Sequence, residues 1–97
     1  MKPENNILND NTLVITYQET KDPFYLNKII EKYTPLIKAT LSLYKIPAQD
    51  YEDSYQELIL IFIKLVNQYK PGQVNFNGYV KTKLKKRYFH YIRKNYR

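Results

Sequence analysis

An all-α fold, a compact bundle of about four helices with a kinked second helix and a basic last one, is predicted for this 97-residue chain by three observations. Only two glycines, Gly72 and Gly78, interrupt it. Apolar residues recur at steps of three and four over long stretches, and alternation of apolar with polar residues persists nowhere. A chain of this length suits one domain, which buries roughly 60–65% of the surface its unfolded form exposes. There is no Cys and one His, so no disulfide frame supports the fold and neither a metal nor a cofactor is expected. The longest apolar run, Leu58 to Ile63, is far short of the roughly 20 residues that span a bilayer. The opening MKPENNILND lacks the basic and apolar segments of a signal peptide. A cytoplasmic protein with no membrane partner is the expectation.

Residues 1–10 read as a flexible polar leader and 11–97 as a single helical domain. NTLVITYQET suits a short helix begun by an Asn11 or Thr12 cap. The second helix starts at DPFYL, with Asp22 as cap and Pro23 in the first turn, where its missing N–H costs nothing. Leu26, Ile29, Ile30, Tyr33, Ile37, Leu41 and Tyr44 keep helical spacing and mark its buried stripe. Pro35 removes one backbone hydrogen bond and crowds the Glu31 carbonyl, so a kink or a break is expected there.

KIPAQD separates a third helix, from about Asp50 to Tyr69. Its stripe is Tyr51, Tyr55, Leu58, Phe62, Leu65 and Tyr69; Ile59, Ile61, Ile63 and Val66 widen it beyond one face. That excess fits either a central helix touched on several sides or an apolar patch that awaits a partner. YKPGQ ends this helix, and the fourth starts near Asn75 and continues toward the C-terminus.

Charge is segregated along the chain. Residues 79–97, YVKTKLKKRYFHYIRKNYR, hold eight Lys or Arg and no acid, whereas the 78 residues before them hold the other eight cations and all nine acids. At 100° per residue, Val80, Leu84, Tyr88 and Tyr91 share one arc, assigned to the core. Thr82, Lys86, Phe89 and Arg93 point the opposite way, with Tyr79, Lys85, Tyr96 and Arg97 along the margins. Solvated charge is the commonest meaning of a lysine-rich face, but flat rings among cations suit a polyanion with unpaired bases, because bases stack on rings while Lys and Arg hold phosphates. An anionic membrane fits less well, since an interfacial helix keeps its apolar face uncovered.

From about Leu26 to Lys94 the order of features resembles region 2 of bacterial RNA polymerase sigma factors. IIEKYTPLIKATLSLYKIPAQDYEDSYQELI is similar to that family's helix with an internal proline, short connector, and Asp followed three residues later by Gln-Glu. YKPGQVNFNGYV resembles its aromatic, proline, short loop, then Phe and Tyr. The resemblance implies a non-enzymatic transcription initiation module that binds core RNA polymerase, through the coiled coil of its largest subunits, and recognises and melts the promoter minus-ten element. It places Asp53, Gln56, Glu57, Ile59 and Ile63 on the polymerase-binding face. Phe76 and Tyr79 match the aromatics beside the captured base. With the outward helix face, the DNA-binding set is Phe76, Tyr79, Thr82, Lys83, Lys85, Lys86, Phe89 and Arg93.

Three departures accompany the likeness. Thr82 and Lys83 stand where housekeeping members carry two Trp, Lys86 replaces their base-reading Gln, and the loop from Pro71 to Phe76 is one residue shorter. Tyr88, Phe89 or Tyr91 then supplies the wedge or stacking ring, as expected of a divergent or specialised member. No helix-turn-helix domain for the upstream promoter element follows Arg97, which implies either a fragment or a second chain that supplies it. Two other classes remain compatible with the residues: a stand-alone nucleic-acid-binding protein without a polymerase partner, and a helical protein-interaction module. No Ser-His-Asp set, Cys nucleophile or phosphate-cradling Gly loop suggests an enzyme. Asp50, Glu52 and Asp53 also suit a helix start, where the dipole favours acids, and His90 reads as a surface residue.

Overall fold

Four helices are found among the described residues. The computed structural model describes residues 9–72 and 74–96, so most of the expected leader (residues 1–8) and the marginal Arg97 lie outside the described residues. Helix α1 spans Asp10–Thr20, α2 Pro23–Leu41, α3 Tyr51–Gln68 and α4 Phe76–Asn95, with a 3-10 turn, Ala48–Asp50, leading into α3.

The first helix begins earlier than the residue pattern suggested. Asn9, rather than Asn11 or Thr12, is the cap, and its side-chain oxygen accepts the Thr12 N–H at 2.8 Å. Asp10 therefore belongs to α1 and not to a leader. Several adjacent Asn and Thr residues are competent caps; Asn11 is instead occupied elsewhere. Lys21, at φ 59, ends α1 in the left-handed region. The Asp22 carboxylate then accepts the Phe24 N–H at 3.0 Å and starts α2, with Pro23 at the position where a missing N–H is harmless.

Helix α2 runs through Pro35 without a break. Pro35 and Glu31, whose carbonyl loses its donor, are both exposed, so the defect lies on the solvent side and the buried stripe Ile29, Tyr33, Ile37 and Leu41 continues past it. The helix stops at Leu41, one turn short of Tyr44, yet the half-buried Tyr44 ring still packs on Tyr88 at 5.9 Å.

Helix α3 meets α1, α2 and α4, which explains most of its excess apolar residues. Leu58, Ile61, Phe62, Leu65 and Val66 are buried. Ile59 and Ile63 are half-covered, Leu60 is exposed, and Tyr51 lies beyond the core's edge. The reading of a helix touched on several sides thus accounts for the buried residues, and Leu60 stays uncovered.

Helix α4 buries every fourth residue: Phe76, Val80, Leu84, Tyr88 and Ile92. Ile92 is the buried residue at the end of that series, where the sequence reading put the half-buried Tyr91. Around the N-terminus of α4, Phe76 packs edge-on against Tyr33, Phe62 and Tyr69 at centroid distances of 5.4, 6.1 and 5.4 Å. Tyr88 at the other end sits under Tyr44 and stacks on Tyr91. The core clamps α4 along its length and turns its other side outward.

Candidate nucleic-acid interface

With the apolar arc of α4 committed to the core, its cations have one place to go. Lys81, Lys83, Lys85, Lys86, Arg87, Arg93 and Lys94 are all exposed. The one ion pair among the described residues is Lys32 with Asp10, at 2.7 Å, so no carboxylate there neutralises the α4 cations. Arg87 donates to the Gln68 side chain at 3.0 Å, a neutral acceptor at the end of α3. From Leu58 to Arg97 the sequence contains no acid at all.

Of the expected DNA-binding residues, Thr82, Lys83, Lys85, Lys86, Phe89 and Arg93 are exposed, and Tyr79 is half-exposed. Phe89 is 40% exposed, with the Arg93 guanidinium 5.7 Å from its ring centre. That distance suits a cation–π contact, which holds ring and charge together on the surface. Tyr79 lies against Tyr69 at 5.2 Å, and burial raises its hydroxyl pKa while Arg87 acts in the opposite direction.

Phe76 differs from the rest of the set. Its exposure is 0%, and the rings of Tyr33, Phe62, Tyr69 and Tyr79 surround it. Tyr88 is equally buried and Tyr91 half-buried, which leaves Phe89 as the exposed ring among Tyr88, Phe89 and Tyr91.

The expected docking residues share the outer side of α3. Asp53 and Gln56 are exposed; Glu57, Ile59 and Ile63 are half-exposed. Leu60, 55% exposed, was not among them. At 100° per residue it falls between Gln56 and Glu57 and nearly opposite the buried arc, so the same wheel that resolved α4 would have found it. The strip is apolar at Ile59, Leu60 and Ile63 and acidic at Asp53 and Glu57, the opposite character to α4.

The family model for sigma-70 region 2 matches residues 29–97, which include all of α3 and α4. The chain belongs to the sigma-70 region 2 family. No curated protein and no solved structure matches it significantly. This sigma domain accordingly has a role in transcription initiation, in a family whose general partners are core RNA polymerase and promoter DNA. Among the described residues no helix is long and apolar enough to cross a membrane, and no cluster of His, Cys, Asp or Glu is arranged to hold a metal.

Helix α1 lies outside the stretch matched to the sigma family, yet it fixes the start of α4. The Asn11 side chain accepts the Phe76 N–H at 2.9 Å. The Tyr33 hydroxyl donates to Asp10 and accepts from the Asn77 amide at 3.2 Å. Burial, followed by the bond to Asp10, lifts the Tyr33 pKa well above the ordinary phenol range. The Gln18 amide donates to the Val66 and Tyr69 carbonyls, both at 2.8 Å, and so satisfies the end of α3. None of these three links is visible in helical periodicity, because each joins residues more than twenty positions apart.

Proposed function

We propose that this sigma region 2 domain docks on core RNA polymerase through the outer strip of α3 and holds the melted strand of the promoter minus-ten element on the outer face of α4. Asp53, Gln56, Glu57, Ile59 and Ile63, joined by Leu60, make the polymerase contact: the apolar side chains supply area and the carboxylates meet basic groups on the coiled coil. Lys83, Lys85, Lys86 and Arg93 hold phosphates. Tyr79 and Phe89 present rings to bases, and Thr82 lies between them as a small polar contact.

The observation that carries the reading is Phe89: a large ring left on the surface, beside Arg93, in the middle of a cationic face whose opposite side is fully used by the core. A face meant only for solubility has no use for such a ring, whereas stacking on unpaired bases requires one. Preference for a separated strand over a duplex follows, since paired bases keep their faces covered.

The test pairs two measurements. Fluorescence anisotropy with bubble and duplex DNA should show tighter binding to the bubble. Affinity for a single strand should fall with log salt at a slope of roughly −0.7 per neutralised phosphate, or about −4 for five or six contacts. Reversing the charges of Asp53 and Glu57 should abolish capture of core polymerase and leave strand binding unchanged. Equal affinity for bubble and duplex, or a salt-independent interaction, overturns the DNA half; retention of polymerase by the reversed variant overturns the docking half.

A further inference from the structure

We propose that the recess beside the paired rings of Tyr44 and Phe89 is a slot where one unpaired nucleobase stacks, a second anchoring point on the strand held by α4. The inference rests on the strand-binding reading above and adds a residue from outside α4 and the loop before it. Tyr44 follows the end of α2, and its ring centre lies 6.1 Å from that of Phe89, with the planes tilted by 39°. The recess is open, about 460 Å³, and is lined by both rings together with Ile92, Arg93, Lys94 and Tyr96 among others. Its size falls within the range of small-molecule sites, about 300–1,000 Å³, and suits a single flat group rather than a helix.

Three features select a base as that group. The walls are aromatic and partly uncovered, so a planar π-system gains stacking there. The rim carries Arg93 and Lys94, both exposed, where the phosphate attached to such a base would lie. The Tyr44 wall is backed by the core: Tyr88, fully buried, packs against it at 5.9 Å and stacks on Tyr91 at 6.0 Å. A slot whose walls are held in place loses little freedom when it is filled.

Spacing supports a second point rather than an extension of the first. Phe89 is ten residues beyond Tyr79, which places it about 15 Å further along the helix. That gap corresponds to about four nucleotides at the 3.4 Å per nucleotide of a stacked strand.

The test uses the full chain and a short single strand carrying bromodeoxyuridine. Irradiation followed by mass spectrometry should map crosslinks to Tyr44 or Phe89 as well as to Tyr79. Tyr44→Ala should weaken strand binding by about five- to a hundredfold, the range that base–aromatic stacking gives, and Tyr44→Phe should bind like the unaltered chain. Where Tyr44→Ala fails to fold by circular dichroism, Tyr44→Leu replaces it, because Leu keeps packing volume and removes the flat face. Crosslinks confined to Tyr79, or undiminished affinity in the Leu variant, overturn the slot while leaving the strand-binding reading intact. Absence of strand binding by the unaltered chain overturns both.

Discussion

Phe76 and Phe89 are the same residue type on one helix and have opposite surroundings. Phe76 is enclosed by four rings, so Phe76→Ala should lower the unfolding free energy by about 3–5 kcal/mol, read as a drop in the urea midpoint. Phe89→Ala should change stability by no more than about 1 kcal/mol and weaken single-strand binding by about 1–3 kcal/mol. An unchanged affinity would remove Phe89 from the interface. Tyr33 offers a second residue-scale test. Its folded pKa is raised, chiefly by burial, above the ordinary value of about 10, so the unfolded chain loses this proton first as pH rises. The stability it contributes is fully present below pH 10 and declines above it toward the folded pKa. Urea midpoints should therefore fall above about pH 10, and the fall should be shallower in Tyr33→Phe.

At the scale of elements, α3 and α4 are built alike. Each buries one arc in the shared core and leaves the other outward, an acidic and apolar strip on α3 and a basic and aromatic face on α4. Leu60→Asp should weaken capture of core polymerase without altering strand affinity; a variant that captures it as well as the unaltered chain would mean the strip is not the contact. Much of this was legible from residue spacing. The Asp22 cap, the start of α4 at Asn75 and the outward position of Phe89 all follow from local rules that act within one or two turns. What escaped those rules depends on distant residues. Asn11 is a good cap by type, but it is used by Phe76, so Asn9 takes the role. Phe76 matched a family position beside the captured base, and only the arrival of Tyr33, Phe62 and Tyr69 from other helices shows that it is enclosed. Leu60 is different: it lies opposite the buried arc of α3, and apolar periodicity marks the covered side of a helix rather than the uncovered one.

Across the whole molecule the charge distribution sets two responses to salt with opposite signs. The net +7 is concentrated in α4, whose cations have no carboxylate partner among the described residues, and they repel one another in the folded state. Added salt screens that repulsion within a Debye length of about 10 Å at 0.1 M. The thermal midpoint of the unliganded protein should therefore rise as sodium chloride increases from low ionic strength, while strand affinity falls over the same range. A midpoint that fell with salt would show that attractive pairs outweigh the crowding of like charges on α4.

Gln18, Asn11 and Asp10 carry a practical warning about where this unit can be cut. The matched stretch opens at Ile29, already inside α2, but the packed helices reach back at least to the Asn9 cap. A polypeptide trimmed to residues 29–97 would uncover the side of the core that Leu13 and Val14 seal and would leave the Phe76 amide without its acceptor. Such a fragment should melt broadly and bind DNA poorly even though every residue of the shared signature is present. For this chain, ancestry and autonomy draw different borders.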